Sequence, residues 1–216
     1  MKSFIKALKK QLQEPLPGWN AQKKMMSLSR SENRGTLNFK VTETWKTAAV
    51  LCLLVPNNDK WQIALMKRAT NKHDKHSGQI SFPGGKHEKS DPDYEFTALR
   101  ETEEEFGIPT DEIEILGKLT SLPVPASDFM IYPYVGYCKT MPTFTPEKSE
   151  VAAILQTSVD HLLDPATLKV KDWSNPSGWS IKNVPYFDVE DNVVWGATAM
   201  VLAEFLEIVE NTKQIV

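Results

Sequence analysis

The sequence predicts an α+β fold, and two observations carry this prediction. Short segments with strand-like patterns are interleaved with a few helical segments along most of the chain. One long helical pattern lies in the middle, over residues 91–107. Strands and helices mixed in this way are typical of helices packed on a sheet as a sandwich. The pattern does not give the order of the strands.

The strands are predicted from apolar runs that end at turn residues. Residues 47–55 form a continuous apolar run followed by Pro56-Asn57-Asn58-Asp59, which is typical of a buried strand and a turn. Residues 61–66 alternate in polarity and would form the hairpin partner. The other predicted elements are strands at 79–82, 112–121 and 129–138, a helix at 158–163, a hairpin at 178–189 and a helix at 195–210.

Composition describes an ordinary globular protein. The chain has 216 residues, of which 41% are hydrophobic and 25% charged, and its net charge is −3. This balance argues against a nucleic-acid-binding surface, and no apolar stretch is long enough to cross a membrane. Cys52 and Cys138 each lie in an apolar run, which predicts buried, reduced thiols and a cytoplasmic location. A homodimer is compatible with the sequence, which does not fix the oligomeric state.

The first 45 residues are predicted to be an appendage of the main domain, which would span residues 46–216. The chain begins with a short amphipathic pattern whose apolar positions would pack onto the body of the protein: Phe4, Ile5, Leu8 and Leu12. Residues 13–45 are polar and contain prolines, which is typical of a meandering lead-in.

The central helix has clear start and stop signals. Asp91 is a good N-cap and Pro92 suits the first helical position. Gly107 supplies the stop. At 100° per residue, Leu99, Thr102 and Phe106 form the predicted core face.

Three glutamates lie on the other side of this helix, within about 100° of arc. Glu101, Glu104 and Glu105 repel one another, and the pair at positions i and i+4 costs a few tenths of a kcal/mol when solvated. One interpretation is a solvated acidic face that Arg100 relieves. The other is a site for divalent cations, because Mg²⁺ and Mn²⁺ take oxygen ligands. The Phe82–Gly85 loop just before the helix favours the second, since glycines let the backbone approach a metal or phosphate closely.

These residues resemble the signature of the Nudix hydrolase family. Gly85 and the run from Arg100 to Ile108 match the Arg-Glu-x-x-Glu-Glu-x-Gly-aliphatic half of its motif, except that Thr102 replaces an aliphatic residue. In the first half Asp91 stands where glutamate is usual, and the spacing to Arg100 is one residue longer.

The resemblance implies an α/β/α sandwich with a mixed sheet, and Mg²⁺- or Mn²⁺-dependent hydrolysis of a nucleoside diphosphate derivative. By position it implies that Glu101, Glu104 and Glu105 are metal ligands and that the carbonyl of Gly84 or Gly85 completes the shell. Arg100 would orient a glutamate.

A second resemblance concerns the substrate. Residues 65–69 and 76–85 resemble the extended motif of the coenzyme A diphosphatase branch, as do 122–136 and 194–199. This implies cleavage of coenzyme A or acyl-CoA into 3′,5′-ADP and 4′-phosphopantetheine. The second arginine of that motif is absent, and His73-Asp74-Lys75-His76 occupies its stretch.

A basic loop at residues 68–76 would suit the 3′-phosphate of coenzyme A. Arg68, Lys72, His76 and Gly84 are the predicted substrate-binding residues. Solvated surface charge is the simpler interpretation of this loop.

By the resemblance, the general base comes either from a glutamate of the motif itself or from a later loop, where Glu150 and Glu147 are the candidates and Glu150 is favoured. The alternatives are another substrate, such as ADP-ribose, a dinucleoside polyphosphate or an oxidised nucleotide, or a non-catalytic module that senses a nucleotide. Trp173, Trp179 and Trp195 are expected to pack in the core or hairpin rather than to hold adenine.

Overall fold

A mixed sheet of eight strands forms the middle layer of the molecule. The protein is represented by a computed structural model, which describes residues 1–26, 42, 44–70, 77–174 and 180–213. The strands of this sheet are β1 (Lys46–Asn57), β2 (Lys60–Arg68), β3 (Ile80–Ser81), β4 (Gly84–Lys86), β5 (Ile113–Lys118), β6 (Leu122–Val124), β7 (Phe129–Cys138) and β8 (Val151–Ser158).

A second sheet and five α-helices complete the described structure. The antiparallel second sheet contains β9 (Leu168–Ser174), β10 (Ser180–Val189) and β11 (Asn192–Val194), in the order β11-β10-β9. The helices are α1 (Lys2–Gln11), α2 (Trp19–Gln22), α3 (Tyr94–Phe106), α4 (Val159–Leu163) and α5 (Gly196–Lys213).

Strand β1 lies at the centre of the main sheet. It pairs with β7 in parallel and with β2 and β4 antiparallel. β5 and β6 pair with β7, whereas β3 and β8 pair with β2. The apolar run 47–55 is buried on both faces, which explains why it lacks the alternation of a half-exposed strand.

The two faces of the sheet carry separate apolar clusters. On one face Ala49, Leu51 and Leu53 of β1 pack with Phe106 of α3. On the other face Cys52 and Leu54 pack with α5 and α1. The predicted α/β/α sandwich with a mixed sheet is therefore confirmed.

The amino-terminal helix packs onto the body as the pattern predicted. Ile5, Leu8 and Leu12 are buried in the same cluster as α5, and Phe4 packs partly buried against it. The split at residue 46 coincides with the start of β1. As a domain boundary it stays a prediction.

Some predicted elements are wrong in extent or kind. Residues 180–189 form one strand, β10, which pairs with β9 and β11, so the predicted hairpin at 178–189 is incorrect; residues 178 and 179 lie outside the described part. Strands β8 and β9 were not predicted. Cys52 and Cys138 are buried and free, as expected. Within the described ranges no helix is long and apolar enough to cross a membrane.

Candidate active site

Helix α3 begins two residues later than its sequence pattern predicted, with Asp93 rather than Asp91 as N-cap. The side chain of Asp93 caps the helix by accepting a hydrogen bond from the amide of Phe96 at 2.8 Å. Gly107 ends the helix in the left-handed conformation, with φ 68°. The prediction of Asp91 as N-cap is wrong because the carboxylate of Asp91 is engaged by Arg100 instead.

Arg100 and Asp91 form an ion pair at the start of the site. The guanidinium donates to Asp91 through Nη2 at 3.0 Å and Nε at 3.1 Å. Asp91, which is 7% exposed, also accepts from the Thr97 hydroxyl and the Glu88 amide. The hydrogen bonds from Arg100 hold the pKa of Asp91 well below its usual range, and Asp91 in turn raises the pKa of Arg100.

The sequence analysis missed two further members of this network, His87 and Thr97. His87 Nδ1 lies 2.8 Å from the Thr97 hydroxyl, so the chain of contacts runs from His87 through Thr97 and Asp91 to Arg100. His87 follows the diglycine by two residues, which was the available signal. Its ring also packs on Tyr94 at 4.6 Å between centroids.

The other side of the Arg100 guanidinium faces two of the predicted metal ligands. Its Nη1 lies 2.9 Å from Glu101 Oε1 and 3.1 Å from Glu104 Oε2. Arg100 thus connects a buried aspartate to the glutamates of the next turn. This geometry supports the expectation that Arg100 orients a glutamate.

Glu105 is the most deeply buried of the three glutamates, at 2% exposure. Its Oε2 accepts a 2.8 Å hydrogen bond from the amide of Gly84, and its Oε1 lies 4.0 Å from Arg68 Nη1. The pKa of Glu105 is raised to about 8. Burial is the main cause and the charges of Glu101 and Glu150 add to it, whereas the bond from Gly84 and the charge of Arg68 lower the pKa. A divalent cation here would stabilise the ionised carboxylate.

Glu101 lies directly against the second glycine of β4. A Cβ atom added to Gly85 would clash with the carboxylate of Glu101, so any side chain here would displace that carboxylate. Burial raises the pKa of Glu101, while the neighbouring Arg100 lowers it. Glu101 and Glu105 therefore touch consecutive residues of the same edge strand.

The residues present match a hard divalent cation in the chemistry of their donors. All the candidate donors are oxygens, namely the carboxylates of Glu101, Glu104 and Glu105 and the backbone carbonyl of Gly85. No group of three or more His, Cys, Asp or Glu side chains converges on one point in the described residues. Backbone and water oxygens would have to complete a coordination shell, and the ligand assignment stays a prediction.

The two candidates for the general base differ in their surroundings. The carboxylate of Glu147 accepts hydrogen bonds from the amide and hydroxyl of Ser149, within its own loop. The charge of Glu150, by contrast, is close enough to raise the pKa of Glu101 and Glu105. Of the predicted substrate-binding residues, Arg68 and Gly84 meet at Glu105, whereas Lys72 and His76 lie outside the described residues.

A cavity of about 420 Å³ opens beside the two glycines of β4. Its lining includes β4, β3, the β6–β7 hairpin and the start of α5. Trp195 lines the cavity and stacks on Trp173 at 4.6 Å between ring centroids. Trp195 therefore faces the cavity as well as packing against Trp173. Trp179 lies outside the described residues.

A sandwich with an acid-faced helix beside a diglycine edge strand defines a class of hydrolases, and similarity to known proteins agrees with it. The NUDIX domain model matches residues 45–175. A Nudix hydrolase named NudL from Yersinia enterocolitica is 32% identical over 139 residues, covering 64% of this chain and 69% of the relative.

Two further proteins are similar. Nudix hydrolase 22 of Arabidopsis thaliana is 30% identical over 172 residues, covering 76% of this chain and 55% of the plant protein. A MutT/nudix family protein from Enterococcus faecalis has the same fold, with a TM-score of 0.50 at 17% identity, over 88% of this chain and 73% of that one.

The chain belongs to the Nudix family and is a hydrolase that acts on diphosphate bonds. Hydrolases of this family act on small nucleotide-type substrates and generally need divalent metal ions.

Proposed function

We propose that this protein hydrolyses the diphosphate bond of coenzyme A or acyl-CoA, giving 3′,5′-ADP and 4′-phosphopantetheine or its acyl derivative. The observation that carries the proposal is the contact of Glu101 and Glu105 with Gly85 and Gly84. One buried and one partly buried carboxylate therefore lie at an edge strand that a diphosphate can reach from outside. We propose that the reaction takes place in the cytoplasm, a reducing compartment that suits the two free cysteines.

Glu101, Glu104, Glu105 and the Gly85 carbonyl are the proposed ligands of Mg²⁺ or Mn²⁺. Bound cations supply charge that stabilises the phosphate oxygens and lowers the pKa of a coordinated water. Glu105 is suited to this role because its carboxylate is buried with few compensating charges. The raised pKa of Glu105 is the mark of a carboxylate that a cation would stabilise in its ionised form.

The remaining residues have proposed roles that do not depend on the metal. Asp91 fixes the guanidinium of Arg100, and Arg100 fixes the carboxylates of Glu101 and Glu104. Glu150 is the proposed general base that takes the proton of the attacking water. Its carboxylate is exposed and lies near Glu101 and Glu105, so it is accessible to a solvent molecule at the site.

The coenzyme A substrate is supported by the motif resemblance around Arg68 and Gly84. A basic segment at Arg68, Lys72 and His76 would receive the 3′-phosphate through charge-assisted hydrogen bonds. A nucleoside diphosphate derivative without the 3′-phosphate would gain less binding energy from these basic side chains.

One contact favours the second candidate, a different nucleoside diphosphate derivative such as ADP-ribose. Arg68 Nη1 lies 4.0 Å from Glu105 Oε1, so its charge is directed at least partly to the glutamate cluster. An arginine held there is less available to a 3′-phosphate, and a substrate without that group would lose little.

A product assay separates the two candidates. Purified protein with Mg²⁺ or Mn²⁺ is given coenzyme A, dephospho-coenzyme A and ADP-ribose, and the products are resolved by chromatography. We expect coenzyme A to have the highest kcat/KM, at least tenfold above dephospho-coenzyme A, and to yield 3′,5′-ADP. A preference for ADP-ribose would contradict the coenzyme A assignment and leave the chemistry intact.

The ligand roles are tested by neutral substitutions on the same helix. Glu104→Gln and Glu105→Gln should each lower kcat at least 100-fold with saturating Mg²⁺, since each removes a proposed ligand charge. Glu103→Gln is the matched control, because Glu103 is exposed on α3 and has no proposed role. Wild-type turnover by either variant would disprove that ligand assignment.

A further inference from the structure

The cavity and the glutamates lie on opposite faces of the main sheet. Ala48 and Val50 of β1 line the cavity, whereas Ala49 between them belongs to the cluster under α3. Because side chains alternate along a strand, the cavity is on the α5 face and the acidic helix on the other. A substrate that uses both must therefore pass around the edge of the sheet.

Strand β4 provides that edge. It pairs with β1 on one side, and among residues 44–70 and 77–174 no strand pairs with its other side. Gly84 and Gly85 contact the glutamates on one face, and both also line the cavity. Because these two positions carry no side chains, only the backbone of β4 would separate a diphosphate at the glutamates from the cavity.

The cavity is apolar away from this edge. The lining outside β4 includes Val124, Phe129, Ile131 and Val201, and the charged residues among the described lining are Arg68 and Lys86. Lys86 belongs to β4 itself, and Arg68 faces Glu105. The cations therefore lie at the diphosphate end, and a second phosphate placed deeper would meet no charge to compensate it.

Of the three hydroxyls in the described lining, two are already engaged, and the third, that of Ser81, is buried without a hydrogen-bond partner among the described residues. Thr198 donates to the carbonyl of Ile80 at 3.2 Å, and Ser127 lies 3.4 Å from the carbonyl of Val124. A purine edge presents several hydrogen-bonding atoms that would need new partners here. An uncharged, flexible and largely apolar chain needs far fewer.

We infer that this cavity holds the uncharged arm of the substrate and selects for its length, while the nucleotide half extends from the other end of the diphosphate. The inference rests on the proposed function, in which this arm is pantetheine and its acyl group. The class of substrate it favours is therefore a long-chain thioester over the free thiol.

Ala197 is the residue through which this inference is tested. It lies one turn before Val201 on α5, and both line the cavity, so a larger side chain at 197 would fill the space. Ala166→Phe is the matched control, because Ala166 is exposed and does not line the cavity.

The experiment compares kcat/KM for coenzyme A, acetyl-CoA, butanoyl-CoA and octanoyl-CoA. In the wild type we expect kcat/KM to rise at least tenfold from acetyl-CoA to octanoyl-CoA, because each buried methylene adds to binding. Ala197→Phe should remove this rise and lower kcat/KM for octanoyl-CoA about tenfold. ADP-ribose shares the adenosine end and lacks the arm, so its kcat/KM, or its inhibition constant, should change less than twofold, which also shows that the variant is folded.

Three results would overturn the inference, and they are distinguishable. An equal loss for all substrates, ADP-ribose included, with the thermal unfolding temperature unchanged, would place the adenosine end in the cavity. Unchanged chain-length dependence in Ala197→Phe would show that the arm lies elsewhere. Absence of turnover for every coenzyme A compound, with ADP-ribose hydrolysed, would instead refute the proposed function and with it this inference. Should Ala197→Phe unfold, Ala197→Leu makes the same comparison with less added volume.

Discussion

Glu105 shows at the scale of one residue what the burial of a proposed metal ligand costs the fold. A buried carboxylate is unfavourable unless hydrogen bonds or opposite charges compensate it. Here the compensation includes the amide of Gly84 and a guanidinium 4.0 Å away, and the pKa of Glu105 remains raised to about 8. The metal-free protein therefore holds a group that opposes folding when it is ionised.

This raised pKa predicts a pH-dependent stability. Because the folded-state pKa of about 8 exceeds the ordinary 4.5, the contribution of Glu105 is most favourable below pH 4.5 and is lost as pH rises through 8. Glu105→Gln removes the ionisation. Relative to wild type without metal, the variant should gain at least about 1.4 kcal/mol in free energy of unfolding between pH 5 and pH 9, the equivalent of one pKa unit.

Urea denaturation in EDTA at the two pH values measures this difference. Glu103→Gln, on the exposed side of the same helix, should follow the wild type at both. Adding Mg²⁺ at pH 8 should stabilise the wild type and leave Glu105→Gln nearly unchanged. Stability curves for wild type and Glu105→Gln that stay parallel from pH 5 to pH 9 would contradict the burial argument.

Local pattern identified much of the site, and tertiary contacts decided the rest. Helical spacing grouped the glutamates at 101, 104 and 105 behind the glycines at 84 and 85, and the family resemblance supplied their expected roles. The ion pair between Asp91 and Arg100 was not predicted, because two aspartates flank Pro92 and either could cap the helix. Which one does so depends on where Arg100 is held.

At the scale of elements, buried strands with strong patterns were predicted well and edge strands were not. The predicted strand at 129–138 matches β7, and 47–55 lies within β1. Strand β8 was missed because its burial pattern does not alternate and Ala152 and Ala153 are exposed. Its strand conformation comes from pairing with β2, a contact that local sequence does not encode.

Strand β4 yields a prediction in which adjacent glycines behave differently. At Gly84, φ is +144° and a Cβ would stand 2.3 Å from the Ala49 carbonyl oxygen, so Gly84→Ala should lose about 3 kcal/mol or more of stability. At Gly85 the Cβ would meet the flexible end of Glu101. Gly85→Ala should keep its stability within about 1 kcal/mol and lose at least tenfold in kcat.

Thermal unfolding and hydrolysis assays on both variants test this contrast. The comparison controls itself, since the same substitution is made at neighbouring positions of one strand. A Gly85→Ala protein with full activity would show that Glu101 can move without consequence. Equal destabilisation by both substitutions would show that the backbone at Gly85 is as restricted as at Gly84.

At the scale of the whole molecule, one buried side chain connects distant parts of the chain. Glu204 of α5 is fully buried and accepts hydrogen bonds from the amides of Gly18 and Thr120 and from Gln22 Nε2. It ties the lead-in segment and the turn after β5 to the last helix. The sequence did not indicate this role, because the partners are separated by up to 186 residues.

Removing this carboxylate should weaken the fold without changing the chemistry. Glu204→Ala leaves the amides of Gly18 and Thr120 without this acceptor and removes one of the two hydrogen bonds of Gln22 Nε2. The loss should cost about 3 kcal/mol and lower the unfolding temperature by roughly 6–12 °C. Its partners lie outside the candidate active site, so kcat/KM at 20 °C should change less than about twofold. Glu207→Ala is the control on the same helix, because it breaks an exposed pair with Lys24 worth less than about 1 kcal/mol. Limited proteolysis should cut Glu204→Ala within residues 13–26 faster than it cuts Glu207→Ala. Equal unfolding temperatures for the two variants would mean that the packing of α1 on α5, rather than the Glu204 hydrogen bonds, holds the amino-terminal segment to the sandwich.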